Sequence, residues 1–216
     1  MQIKDYIEHT LLKPTALASD MEQLAQEAVE YGMFGVCIPP YWVKKIKRDL
    51  KNTPVSVVSV IGFPLGYQMS QAKVAEALQA VHDGADELDV VMNLSAFKAN
   101  PKGWVKPEFA RLAKELHEAS CLLKVILETA YLTDEEIVLA CQICMDAGVD
   151  FVKTSTGFAP QGATVEHIQL MRQTVGNALG VKASGGVRNY EQAIAMIEAG
   201  ADRIGTSAGV AICKEG

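Results

Sequence analysis

Eight short runs rich in aliphatic and β-branched residues punctuate this chain, and amphipathic stretches with helical spacing separate them almost throughout. The runs are Tyr6 to Thr10, Phe34 to Ile38, Val55 to Ile61, Glu87 to Met92, Leu122 to Glu128, Phe151 to Thr154, Val181 to Ser184 and Arg203 to Gly205. Most are uninterrupted rather than alternating, as strands are when both faces of a sheet are covered. Strands joined through helices run parallel, because only a crossover of that length can return the chain to the same direction.

The helical stretches carry boundary signals. Ser19 with Glu22, and Thr133 with Glu136, have capping-box spacing, while Ser70, Thr164 and Asn189 stand where N-caps are expected. Gly32, Gly84, Gly148 and Gly200 each close a helix just before a strand, where a left-handed backbone costs glycine least. Three of them head a repeat, Asp83-Gly84-Ala85-Asp86, Ala147-Gly148-Val149-Asp150 and Ala199-Gly200-Ala201-Asp202, and the four glycines are spaced by 52, 64 and 52 residues. Each interval holds about two strand-helix units, which predicts duplicated quarter barrels. Eight strands and eight helices in 216 residues predict an α/β protein, one domain over residues 1–216 folded as a (β/α)8 TIM barrel. An open, doubly wound sheet has the same periodicity. Its usual signature is missing: no G-x-G-x-x-G follows the first strand and no P-loop occurs.

A hydrophobic content of 49% lets such a domain bury its core without metals or disulfides. Net charge is −6 and the basic residues are scattered, apart from Lys44-Lys45-Ile46-Lys47-Arg48, which reads as a solvated helix face; no nucleic-acid partner is expected. Met1-Gln2-Ile3-Lys4-Asp5 lacks the apolar core of a signal peptide and no apolar run nears the roughly 20 residues of a membrane span, so a cytoplasmic location without a membrane partner is expected. Five cysteines are an odd set that suits a reducing compartment. Cys141-x-x-Cys144 lies inside a predicted helix with no second pair and reads as core, not as a zinc or redox site.

Charges inside strand-like runs stand out against this background. Asp89, Lys124, Lys153 and Lys182 each interrupt one. In a barrel, alternate side chains point inward and catalytic groups gather at the carboxyl ends of several strands, so the amines of Lys153 and Lys182 and the Asp89 carboxylate are expected to share one interior, with Lys124 facing the same way. An ordinary lysine, of pKa about 10.4, is unprotonated at pH 7 in only about one molecule in several thousand. Desolvation and a neighbouring cation both disfavour the charged form, and bringing the pKa to about 7 needs roughly 4 to 5 kcal/mol. A free amine so produced suits Schiff-base chemistry on a carbonyl, where the iminium is the electron sink for making or breaking a carbon-carbon bond. The residues alone leave open which lysine attacks. Asp89 can move protons, and the turns Ser184-Gly185-Gly186-Val187-Arg188 and Gly205-Thr206-Ser207 lie where barrels bind phosphate. The substrate class is a phosphorylated carbonyl compound.

Three rivals follow from the same residues. An isomerase or epimerase would use Asp89 and one lysine without a covalent intermediate, and a catalytically silent barrel would only bind. Gly205-Thr206-Ser207-Ala208-Gly209 satisfies the G-x-S-x-G of a serine hydrolase, but only seven residues follow and none is histidine.

Several long stretches resemble deoxyribose-phosphate aldolase. They are Glu87-Leu88-Asp89-Val90-Val91-Met92-Asn93, Phe151-Val152-Lys153-Thr154-Ser155-Thr156-Gly157-Phe158 and Val181-Lys182-Ala183-Ser184-Gly185-Gly186-Val187-Arg188, with His9-Thr10-Leu11-Leu12-Lys13-Pro14, Val36-Cys37-Ile38-Pro39-Pro40, Leu122 to Thr129 and Arg203 to Ser207 in the same order. The resemblance implies a class I aldolase of deoxyribose phosphate catabolism, a homo-oligomer without metal or organic cofactor, reversibly cleaving 2-deoxy-D-ribose 5-phosphate to acetaldehyde and D-glyceraldehyde 3-phosphate. By motif, Lys153 is the Schiff-base nucleophile, Lys182 the neighbouring cation that tunes it, and Asp89 a proton carrier acting through an ordered water. Lys124 and Glu8 would support this relay, and Thr156, Gly157, Gly185, Gly186, Gly205 and Ser207 would bind substrate and its phosphate. The chain departs from many relatives in having Glu8 where they carry aspartate, Ala208 where some carry serine, and a Lys214-Glu215-Gly216 end where some carry a terminal tyrosine.

Overall fold

In a computed structural model describing residues 2–216, eight parallel strands close into one barrel in sequence order. They are β1 (Ile7–Thr10), β2 (Gly35–Ile38), β3 (Ser56–Ile61), β4 (Glu87–Val91), β5 (Leu122–Ile126), β6 (Phe151–Lys153), β7 (Gly180–Ser184) and β8 (Arg203–Thr206), and β8 pairs back onto β1. Every predicted run is a strand, its ends moved by one or two residues.

Nine α-helices occur among the described residues: α1 (Ala18–Glu30), α2 (Val43–Asp49), α3 (Ser70–His82), α4 (Leu94–Ala99), α5 (Lys106–Glu118), α6 (Asp134–Ala147), α7 (Val165–Val175), α8 (Tyr190–Glu198) and α9 (Gly209–Glu215). One follows each strand, and α4 is an extra turn inserted after β4, ahead of α5. No helix among the described residues is long and apolar enough to cross a membrane.

Thr133 and Glu136 form the expected capping box at α6, and Thr164 and Asn189 accept the N–H groups of His167 and Gln192. Two expected caps differ. The Asp20 carboxylate, rather than Ser19 with Glu22, accepts the Leu17 N–H at α1 (2.8 Å), a charged acceptor being the stronger partner for an orphan helix donor. Ser70 is itself the first residue of α3, and its hydroxyl donates to the Glu108 carboxylate at 2.5 Å.

The glycine-aspartate repeat has a structural counterpart. Gly84, Gly148 and Gly200 adopt φ of +107°, +77° and +114°, and two residues later Asp86, Asp150 and Asp202 each accept a strand N–H at 2.8 Å, from Val57, Leu123 and Val181 respectively. Each aspartate also holds a basic side chain from a preceding helix, Lys47, His117 or Arg172. Each thereby ties an even-numbered strand to its odd-numbered predecessor at the amino-terminal end of the barrel.

The main apolar core lies between strands and helices. Cys37, Val58 and Val60, with Leu12 and Phe63 packed on them, form a separate apolar cluster on β2 and β3. The charges buried inside the barrel, Glu8, Glu87, Asp89, Lys124, Lys153 and Lys182, come from other strands, so one barrel houses an oily wall beside an ionic one.

Candidate active site

Parallel pairing sets Asp89 beside Lys124 and Lys153 beside Lys182, as register partners on β4–β5 and β6–β7. Lys153 Nζ and Lys182 Nζ both donate to Asp89 Oδ2, at 2.7 and 2.6 Å, and Lys124 Nζ donates to Oδ1 at 3.0 Å. Glu8 on β1 accepts from Lys182 and lies 3.7 Å from Lys124 Nζ, which also reaches Glu87 at 2.5 Å. Three carboxylates and three ammonium groups therefore form one network, in which the most exposed member, Glu87, is only 5% accessible.

Burial alone would neutralise these groups, and the network reverses that for several of them. Desolvation raises the Asp89 carboxyl, but Lys124, Lys153 and Lys182 outweigh it and hold Asp89 well below the usual carboxylate range. Desolvation likewise disfavours charge on Lys124 and Lys182, yet Asp89 and Glu8 keep both amines above the ordinary lysine value. Lys182 is thus a persistent cation sharing an oxygen with Lys153. Donor atoms of Glu8, Cys37 and Asp89 lie within 4.8 Å of one another, but both carboxylates are already engaged by ammonium groups and burial pushes the Cys37 thiol up. That donor set suits an internal proton network better than a cation site.

The other expected residues fall at the carboxyl ends of the last three strands, where two have unexpected partners. Gly205 lies within the β8 ladder, not in a turn. A Cβ there would come within 3.0 Å of Ser184 Cβ and 3.2 Å of Lys182 Cε, so this glycine makes room for the Lys182 side chain. Thr156 turns its N–H and hydroxyl toward the Glu128 carboxylate. Gly157, Gly185 and Gly186 have φ of +87°, +84° and +85°. With the exposed Ser207 they line the rim, where a side chain on Gly162 would run into the Gly185 backbone.

Two further carboxylates, Glu87 and Glu128, lie beside these groups and carried no assigned role in the sequence. Glu87 is in phase with Asp89 and Glu128 with Lys124, so the period-two alternation carried both signals. Glu128 shares the inward phase of Lys124 and Ile126 in the sequence, but its strand ends at Ile126 and the chain then enters the left-handed region at φ 56°. Cys141 and Cys144 are buried in α6 as expected, and burial pushes the Cys141 thiol to about 12.

Comparison with known proteins gives concordant matches. A family model described as DeoC/LacD family aldolase matches residues 6–215. Deoxyribose-phosphate aldolase of Thermococcus gammatolerans is 54% identical over 216 residues, covering 99% of this chain and 96% of the relative. Among solved structures, the aldolase QR15 superposes with a TM-score of 0.94 at 47% identity, covering 99% of this chain and 95% of that one. A tetrameric deoxyribose phosphate aldolase from Aeropyrum pernix superposes with a TM-score of 0.93 at 35% identity, covering 99% and 90%.

Proposed function

The chain belongs to the DeoC/LacD family of aldolases, and we propose that it works as a class I deoxyribose-phosphate aldolase, cleaving 2-deoxy-D-ribose 5-phosphate reversibly into acetaldehyde and D-glyceraldehyde 3-phosphate through a Schiff base on Lys153. The observation that carries this reading is the sharing of Asp89 Oδ2 by Lys153 and Lys182. A carboxylate between two amines can take a proton from one while the other remains charged.

Asp89 accepts a proton from Lys153, freeing the nitrogen lone pair to attack C1 of the open-chain sugar. As the C–N bond forms, the carbonyl π electrons move to oxygen, which takes the proton back. A second proton passes from the nitrogen to that oxygen, which leaves as water, so ammonium plus carbonyl has become iminium plus water with no net proton gained. The iminium carries the same charge as the ammonium it replaces, and the buried carboxylates stabilise it in the same way. The electrons of the C2–C3 bond then flow into the iminium as the 3-hydroxyl passes its proton to Asp89, releasing glyceraldehyde 3-phosphate, and Asp89 returns that proton to the enamine carbon in the next step. Protonation of the enamine carbon and hydrolysis release acetaldehyde.

Lys182 serves as the fixed cation, Lys124 and Glu8 hold Asp89 and Lys182 in place, and the rim formed by Gly157, Gly185, Gly186 and Ser207 takes the phosphate. We assign residues 1–216 to one catalytic unit that assembles as a homo-oligomer, and its five free cysteines fit a reducing compartment such as the cytoplasm. Nothing in the family favours the isomerase alternative. The direct test is acetaldehyde release from 2-deoxyribose 5-phosphate, expected with or without a chelator; absence of release in both conditions would remove the proposal.

A further inference from the structure

β1 presents different chemistry on its two faces. Glu8 points into the barrel and accepts from Lys182, whereas His9, the next residue, points outward to the helices and is buried. Its Nε2 lies 2.8 Å from Glu27 Oε2 on α1, and Gln23 Nε2 donates to the other oxygen of that carboxylate at 2.8 Å. A carboxylate only accepts, so His9 Nε2 is the donor. Burial raises the Glu27 carboxyl, but the bonds from His9 and Gln23 outweigh it and hold Glu27 below the usual carboxylate range, which keeps the acceptor charged.

His9 Nδ1 is buried without a hydrogen-bond partner among the described residues and faces the first residue of α9. A Cβ on Gly209 would come within 2.8 Å of this nitrogen, 3.1 Å of Met33 Sδ and 3.2 Å of Ile7 Cγ2. The helix therefore starts directly on the imidazole, and glycine permits that close approach. Thr206, the register partner of His9 on β8, fixes the other end of the same turn. Its hydroxyl donates to the Val187 carbonyl at 2.6 Å and accepts the Ala208 N–H at 2.9 Å. The turn from Thr206 to Gly209 is thus tied to the β7–α8 turn at one end and seated on His9 at the other, with the exposed Ser207 between.

Resting on the aldolase reading above, in which this rim takes the sugar's phosphate, we propose that His9 is a positioning residue for phosphate recognition. Braced by Glu27, its ring sets where α9 begins and so where the turn around Ser207 meets the anion. Donors held in place before the substrate arrives bind it without the cost of ordering them. One strand thereby supports both ends of the substrate, Glu8 the amine network and His9 the phosphate turn.

The test compares cleavage of 2-deoxyribose 5-phosphate with cleavage of 2-deoxyribose, which lacks the phosphate. In His9→Ala and in Gly209→Ala, the kcat/KM preference for the phosphorylated sugar should fall about tenfold, through KM rather than kcat, the usual effect of losing one charge-assisted hydrogen bond. His9→Gln, whose amide can still donate to Glu27, should retain the preference. The methyl group of Gly209→Ala collides with the imidazole, so adding it to His9→Ala should cost nothing further. Equal losses on both sugars, an unchanged preference in His9→Ala, a His9→Gln that loses as much as His9→Ala, or losses that multiply in the double variant would overturn the proposal. Should His9→Ala fail to fold, Gly209→Ala decides: a reduced preference supports the proposal and an unchanged one overturns it. A wild-type protein that traps no aldehyde on Lys153 would overturn the aldolase reading and this inference together, whereas a wild type that traps and prefers the phosphorylated sugar while its variants keep that preference overturns this inference alone.

Discussion

Lys153 and Lys182 converge on a single oxygen, Asp89 Oδ2, from adjacent strands whose register sets the two lysines side by side. Two amines so close meet in a dry interior because an anion lies between them, one that burial alone would have protonated and that the surrounding lysines keep charged.

Replacing Asp89 with asparagine removes that anion and leaves three buried ammonium groups short of a counter-charge. Breaking a buried ion pair by removing one partner costs about 3 to 5 kcal/mol, which urea unfolding would show. Turnover should fall at least about a hundredfold with the loss of the proton carrier. Near-normal turnover would move the carrier role elsewhere, Glu8 being the next carboxylate in the network.

Lys182→Leu deletes the persistent cation beside Lys153 while sparing Asp89 and Glu8. Freeing the Lys153 amine then becomes harder, so the pH–rate profile of borohydride trapping should move to higher pH, with at least about a tenfold slower rate at pH 7. An unshifted profile would remove Lys182 from the tuning role.

Stability should fall at both extremes of pH. Asp89 is held well below its ordinary value, so on acidification the unfolded chain takes up its proton first, near pH 3.9, and stability drops from there downward. Lys182 is raised, so at alkaline pH the unfolded chain loses its proton first, above about 10.4, and stability drops from there upward. Denaturation across pH should show a plateau between these limits, and Asp89→Asn should flatten the acid limb. An acid limb unchanged by that substitution would assign it to other carboxylates.

Gly205→Ala tests the space kept for Lys182. A methyl group 3.2 Å from Lys182 Cε must displace a side chain that is fully buried and bonded to two carboxylates. Displacements of this kind cost about ten- to a hundredfold in rate, so kcat should fall while thermal unfolding changes little. An unaffected kcat would mean that Lys182 tolerates the shift.

The barrel was legible because runs such as Val181 to Ser184 are apolar on both faces, and because the Gly-x-Asp repeat marks the junction ahead of three strands. The site was legible for the complementary reason. Lys124, Lys153, Lys182 and Asp89 break apolar runs, and in a closed barrel the inward phase leaves them one place to meet. Pairings between distant elements could not be read. That Glu8 would hold Lys182 across 174 positions, that Thr156 would be claimed by Glu128, or that Gly205 would serve Lys182 depends on which strands are neighbours and where β5 ends. The cap at α1 failed more simply: Asp20 and Ser19 are adjacent candidates, and only the geometry chooses the carboxylate.

All of this chemistry rests on Lys153 forming the covalent bond. Incubating the protein with acetaldehyde, reducing with borohydride and mapping the modified peptide by mass spectrometry should find one ethyl group on Lys153, and Lys153→Leu should be neither labelled nor active while keeping its fold. Label on Lys182 or Lys124 instead, or substantial turnover by Lys153→Leu, would take the nucleophile's role away from Lys153.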